Sequence, residues 1–432
     1  MNLESLLTRL LLQQHSTSLQ PTELSYGQIY LGKVEHLYPN QLAKLKLAGT
    51  TFVAKVKAPL KRGEFTWLLV ERAASPVTLK VIMQPSSEHS SNPQPLPPTP
   101  EALIHYLGLR ANKQLVQMVQ FLQQEHLPII AHQLQQLSQM QLQLPFMAQS
   151  ELQQLVRWII AHHLPFSSTS LLALHQLFFG ESWGSLLRKW DQRYQQIQQD
   201  HTELNAQAEE SVQRITRLMH QLNASFLPLA DWLESWGLTY EKRLKWLVEH
   251  PDQSATKAWS HSLKEELLRL QGNQQGNGAF SHLTIPLVHH LTGQQLLLLH
   301  EREDTVQQLF LQLPQSVLDA KKEAWIQLEG KKLRNGELDP EHAHLLLYLH
   351  LPRSGLNILD IQIVKRILSV HLYYEQEDMV LRIQKKREEW EKRLKDIGYH
   401  FSSLRFSPLN QLIPTKQKLP GTQPYHGLDV RI

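Results

Sequence analysis

The chain of 432 residues contains no cysteine. Disulfides, thiolate-bound zinc, iron–sulfur clusters and thiol nucleophiles are thereby excluded. A reducing compartment accounts for the absence; so does export of an unfolded chain, for which thiols are a hazard. Glycine is sparse, at 18 residues, mostly at breaks. There is no G-x-x-x-x-G-K-[ST], no G-x-G-x-x-G and no G-x-S-x-G, so phosphate cradles and a nucleophile elbow lack sequence support. No run of about 20 apolar residues is present to span a bilayer. The net charge is only +4, which by itself marks neither a nucleic-acid nor a membrane protein.

What is present is enough to build cores: 41% of residues are hydrophobic and 19% charged. At about 100–200 residues per domain, two or three folded units are expected. The reading is a multidomain α+β chain: a small N-terminal β-barrel, a central helical bundle and a C-terminal two-layer α+β domain. Met1–Gln14 is Leu-rich, with Leu3, Leu6, Leu7 and Leu10 at helical spacing. It reads as an amphipathic helix within 1–20, and neither as a secretory signal nor as a span.

Residues 21–84 read as β. Leu45 and Leu47 alternate with Lys44 and Lys46, and Phe52, Ala54 and Val56 alternate with Val53, Lys55 and Lys57. Phe65, Trp67 and Leu69, then Val77, Leu79 and Val81, continue the period of two. Turn residues at Pro39-Asn40, Ala48-Gly49 and Pro59 to Gly63 bound about five short strands. A sheet this small hides its edges best by closing into a barrel. Nine Lys and Arg face four Glu in this segment. Small basic barrels with aromatics bind single-stranded nucleic acid, and Lys44, Lys46, Lys55 and Lys57 are the candidate face. The plainer alternative, outward lysines on ordinary strands with the aromatics in the apolar register, is preferred.

Residues 85–100 form a Pro-rich linker. Residues 101–275 read as helices broken by prolines, with an internal repeat: the stretch from Val119 through His126-Leu127-Pro128 aligns with that from Val156 through His163-Leu164-Pro165, 37 residues later. Leu134 and Leu137 then match Leu171 and Leu174. Each unit reads as helix, turn, helix, with the proline ending one helix and opening the next. Trp183, Trp190, Trp232, Trp236, Trp246 and Trp259 read as core residues.

Residues 276–407 read as the C-terminal domain, after a break at 272–278. Expected strands are 283–288, 295–301, 307–313, 324–329, 344–351, 357–364 and 367–375. A helix over 379–397 follows, with Ile383, Trp390, Leu394 and Ile397 on one stripe, i,i+4 pairs Glu388–Lys392, Glu389–Arg393 and Glu391–Lys395, and a stop at Gly398. A strand from Phe401 to Phe406 comes next, then a loose tail, 408–432, whose end from Gly427 alternates like a strand. Trp390 is expected to anchor the helix.

Chemistry is hard to find. His162-His163, His289-His290 and the set His342, His344 and His350 lack metal-ligand spacing. Glu265-Glu266 and Glu388-Glu389 read as solvated helix faces. No catalytic residue, metal or cofactor is assigned.

Three stretches carry a resemblance. The run from Gly27 to Val34, with Leu45 to Gly49 and Pro59 to Gly63, resembles the N-terminal β region of some flagellar hook-length control proteins. Leu107 to Arg110 with Leu127-Pro128-Ile129 resembles that family's "LGL … GLPLT" segment, with His126 and Ile130 as departures. Leu349 to Pro352, Val370 to Tyr374, the helix to Gly398 and Phe401 to Phe406 resemble its C-terminal domain, with Pro352 to Leu356 in place of a "PP-x-LG" turn. The resemblance implies a non-enzymatic protein of the flagellar type III export system that sets hook length and switches substrate specificity. It implies contact with the export gate's switch component and with hook and cap proteins, and a cytoplasmic location with export as a further stage. Leu349, Leu351, Pro352, Gly355 and Leu356 are the implied partner contact. The rival readings are the basic-barrel nucleic-acid binder and a cytoplasmic adaptor without a flagellar role.

Overall fold

The structure, a computed structural model, describes residues 24–56, 58, 60–74, 77–84, 94–140, 147–200, 206–224, 229–249, 261–272, 279–298, 301–302, 306–313, 324–333, 338–351 and 353–412. The amphipathic segment Met1–Gln14, Lys57, Pro59, Trp259, Pro352 and the tail beyond residue 412 lie outside it. The chain divides into two compact units, Met1–Phe179 and Gly180–Ile432. The helical run 101–275 is thus shared between two units. No helix of the described residues is long and apolar enough to cross a membrane.

The first unit opens with five strands, β1 (Gln28–Leu37), β2 (Leu42–Leu47), β3 (Thr50–Val56), β4 (Phe65–Arg72) and β5 (Thr78–Val81). Their order is β2-β3-β5-β4-β1, and β1 also pairs with β2, so the barrel closes. All pairs are antiparallel except β3–β5. Alternation puts Tyr30, Val34, Leu45, Leu47, Ala54, Leu68, Val70 and Leu79 inside. Gly32 shares that inward register, and a Cβ there would lie 2.5 Å from Leu47 Cδ2 and 2.6 Å from Leu68 Cδ1. The β2–β3 turn has Ala48 at φ 47° and Gly49 at φ 80°, the positive pair that a tight twisted hairpin requires.

One expectation reverses here. Phe65, Trp67 and Leu69 form the apparent apolar face of β4, yet Thr66, Leu68 and Val70 point inward. Trp67 is covered from outside, and its Nε1 donates to Pro97 O at 2.9 Å. The C-terminal end of the Pro-rich segment is therefore part of the fold: Met83 bridges Pro95, and Leu96 is buried.

Helices α1 (Pro100–Tyr106), α2 (Lys113–Gln124), α3 (Ala131–Met140), α4 (Gln149–Ala161) and α5 (Ser168–Phe179) follow, with the two-residue strand β6 (Ile129–Ile130) pairing with β1. The 37-residue repeat recurs in geometry. His126 and His163 are left-handed, at φ 58° and 52°. Leu127 N donates to Leu122 O at 2.8 Å, and Leu164 N to Ile159 O at 3.0 Å. These are matching helix C-caps, so the left-handed histidines end the first helices. The prolines stand three residues ahead of α3 and α5 rather than at their first positions. Leu134, Leu137, Leu171 and Leu174 are all buried.

The second unit begins with α6 (Trp183–Gln199), α7 (Ala206–Ala224), α8 (Leu229–Trp236), α9 (Tyr240–Glu249), α10 (Leu263–Gly272) and α11 (Ser281–Leu298). Trp183, Trp190, Trp232 and Trp236 form their core with Phe280, Leu267, Leu287 and Leu291, whereas Trp246 is half-buried. Leu311, from the sheet, belongs to the same core. The strand expected at 283–288, and that expected at 295–301 as far as Leu298, are α11, while Glu301 opens the next strand. This helix is buried nearly all round, so it shows no amphipathic stripe that would separate it from a buried strand.

The sheet contains β7 (Glu301–Arg302), β8 (Val306–Leu313), β9 (Ala324–Lys332), β10 (Leu338–Leu351), β11 (Gly355–Val364), β12 (Ile367–Tyr374) and β13 (His400–Pro408), ordered β13-β12-β11-β10-β9-β8-β7. Only β12–β13 is parallel, and α12 (Asp378–Asp396) forms its crossover. Gly398, at φ 86°, closes α12, with Tyr399 N donating to Leu394 O at 2.9 Å. Glu389 pairs with Arg393 as expected, at 2.7 Å, but Glu391 pairs with Arg387. The anchor differs too: Ile383 is buried, Trp390 only half-buried and Ile397 exposed.

Candidate binding surfaces and the polar face of the C-terminal sheet

The two sets of residues singled out from the sequence meet different fates. Leu349 and Leu356 are 8% and 6% exposed, packed into the β10–β11 end of the sheet. Leu351 and Gly355 are half-buried, and Arg353 between them is exposed. The turn is held from behind. Glu375 accepts from Leu356 N at 2.6 Å, and Asn357, wholly buried, donates to Gly355 O at 3.0 Å. Gly355 sits at φ 67°, a conformation that favours glycine. The buried leucines position this turn, and among its described residues Arg353 is the exposed one.

Lys44, Lys46 and Lys55 do point outward, on the face opposite the buried Ala43, Leu45, Leu47 and Ala54. Barrel closure adds residues that the sequence could not place beside them. Lys33 of β1 stands directly opposite Lys46 and also opposite Phe65 of β4. Lys33 Nζ lies 5.5 Å from the Phe65 ring centroid, and Phe65 is 49% exposed. His36 stands opposite Lys44, and its ring stacks on Tyr38 at 4.9 Å and 9°. Lys44 pairs with Glu35 at 3.6 Å. Lys33, Lys46 and Lys55 have no carboxylate partner among the described residues.

A third feature is the polar face of the C-terminal sheet, of which sequence reading singled out His344 but not its partners. His344 on β10 stands directly opposite Glu329 on β9. Its Nε2 is 2.8 Å from Asp360 Oδ1, and its Nδ1 is 3.7 Å from Glu329 Oε2. Burial alone pushes this imidazole down, but the hydrogen bonds and charges of Asp360 and Glu329 outweigh it and raise the pKa to about 9. Tyr348, four residues along on the same face, is buried, and burial with those carboxylates pushes its phenol up. On β12, His371 Nε2 lies 2.9 Å from Ser407 Oγ. Burial, then the Arg405 charge, pushes His371 down, opposed by Asp360. A neutral imidazole beside a hydroxyl is half of a nucleophile–base arrangement. The orienting carboxylate is engaged elsewhere, because Asp360 is hydrogen-bonded to His344 and reaches His371 only through its charge. A protonated His344 between two carboxylates is an ion triad that ties three strands together, and a poor general base.

The remaining titratable pairs are built into the fold. His342 bonds Asp339 at 2.9 Å. His162 is buried against the Trp158 ring, at 3.9 Å. His290 is buried against Trp183, and burial lowers its pKa to about 4 despite a hydrogen bond to Gln312. Glu265 and Glu266 are not a solvated face. Glu266 is wholly buried, 3.3 Å from Arg214 Nε and 3.4 Å from Arg269 Nη1, while Glu265 meets Arg243 at 2.6 Å. No group of three or more His, Asp or Glu among the described residues is arranged to hold a metal.

No protein-family model, no curated protein and no solved structure matches this chain.

Proposed function

We propose that the chain is a hook-length control or export-switch protein of the flagellar type III system, acting by protein–protein binding. One observation carries this reading. The stretches of the C-terminal resemblance, Leu349–Leu351, Val370–Tyr374 and Phe401–Phe406, stand on β10, β12 and β13 of one sheet, with β11 between β10 and β12. The helix between the last two stretches forms their parallel crossover. Segments separated in the sequence thus share one module, and the β10–β11 turn within it exposes Arg353. That turn is the proposed contact for the export gate's switch component, and the chain is cytoplasmic before any export.

Binding of the full chain to a purified export-gate switch component tests this. Arg353→Glu is expected to weaken binding while the melting temperature stays unchanged. Leu356→Asp is expected to disrupt the sheet end instead, because it buries a charge. A wild-type chain that binds no flagellar export component would leave the plain adaptor.

A further inference from the structure

We propose that the outer surface of β1, β2 and β3, with Phe65 of β4, is a binding track for single-stranded nucleic acid. The pairing registers arrange this surface in three successive rows. The first contains Phe65, Lys33, Lys46 and Thr51; the second His36, Lys44 and Val53; the third the Leu42–Lys55 pair. Tyr38 adjoins the third row, since its N donates to Leu42 O at 2.8 Å. Each row therefore offers one ring and at least one cation. Rows two residues apart on a strand stand about 6.6–6.8 Å apart. A single-stranded nucleic acid presents the complementary repeat, one π-face and one phosphate per nucleotide, and base stacking on aromatics beside cations is how such chains are held without sequence preference.

One further observation calls for an anionic occupant, and a second, the exposed rings, favours a nucleic acid over an acidic polypeptide. Lys33 and Lys46 are directly opposite each other, a like-charge pairing that costs sheet stability, and no carboxylate among the described residues relieves it. A bound phosphate would. The rings are also exposed where ordinary folding would bury them: Phe65 is 49% and Tyr38 42% exposed. On the same outer face, two residues along β4, Trp67 is wholly buried. The outer surface is thus dry at the Trp67 end and open at the Lys33–Phe65 end. Small five-stranded Greek-key barrels present the face of their second and third strands to such ligands, and here those strands carry Lys44, Lys46 and Lys55.

The test uses the full chain and fluorescence anisotropy with a labelled oligodeoxythymidine of about 15 nucleotides. Expected is a Kd of about 10 μM at about 50 mM salt, with log K falling against log salt at a slope of about −3, as for about four phosphate contacts. Phe65→Ala should weaken binding about 5- to 150-fold, the effect of losing one stacked base, and Phe65→Tyr should restore it. A Lys33→Gln/Lys46→Gln double variant should flatten the slope by about 1.4. Thermal melts check that each variant stays folded. The proposal is overturned by no binding at low salt, or by equal binding to polyglutamate or anionic vesicles. Binding indifferent to both Phe65→Ala and the lysine pair would overturn it as well.

Discussion

His344 offers a prediction whose magnitude follows from the structure. Its imidazole is raised from 6.5 to about 9 because Asp360 and Glu329 flank it across adjacent strands. At 1.36 kcal/mol per pH unit, a rise of that size corresponds to about 3 kcal/mol. Water reaches 18% of the side chain, and screening trims the figure to about 2 kcal/mol. The sign follows from linkage. Below pH 6.5 the folded and unfolded chains both carry the proton, and the stabilisation is fully present. Between pH 6.5 and about 9 the folded chain holds a proton that the unfolded chain has released, so stability falls as pH rises. Above about 9 the contribution is gone. Urea unfolding followed by sheet circular dichroism at about pH 6 and about pH 9.5 measures the loss, and His344→Gln removes the background of the other histidines. The wild type should lose about 2 kcal/mol more than the variant over this window. A His344 resonance that titrates at or below 6.5, or identical pH slopes for the two proteins, would refute the ion-triad reasoning.

Trp190 is wholly buried against Phe280, with its Nε1 donating to Thr216 Oγ1 at 2.9 Å, so Trp190→Ala should cost about 3–5 kcal/mol in urea unfolding. Trp390→Ala, at a half-buried ring, should cost only about 1–2 kcal/mol in the same experiment. His163→Gly should raise the melting temperature, with a gain of about 1 kcal/mol, because an exposed L-residue held at φ 52° is strained. Glu266→Gln should destabilise the second unit by about 3 kcal/mol in urea, since Arg214 and Arg269 lose a wholly buried counter-charge.

The parts legible in the sequence were those where one face is wet. Strands β1, β2, β3 and β5 alternate because one side of each lines the barrel interior, whereas β4, with Trp67 covered from outside, was read the wrong way round. The helix α12 showed itself through its charged surface and through Gly398. The repeat of 37 residues was readable because identical cap chemistry, His126 and His163, ends both helices. Where burial extends nearly all round the signal fades: α11 buries polar His290, Gln294 and Gln295 beside its leucines, and its residues fitted strand and helix alike. Trp390 stood mid-stripe in the pattern, but periodicity reports direction and not depth, and α12 lies on a sheet that buries only Ile383 fully. Glu265 and Glu266 looked like any acidic pair, because their partners Arg214 and Arg243 come from other helices. The same holds for the candidate surfaces. Lys44, Lys46 and Lys55 could be read from one hairpin, whereas Lys33, Phe65, Asp360 and His371 join their clusters only through pairing between distant strands.

The central claim, an export-switch protein that works through its C-terminal module, is tested most directly by hook lengths in source cells lacking the gene. Electron microscopy of isolated hooks should show overlong hooks without filaments, and the wild-type gene should restore both, while a Trp190→Ala gene should restore them poorly. Hooks of normal length bearing normal filaments in the deletion strain would contradict the account.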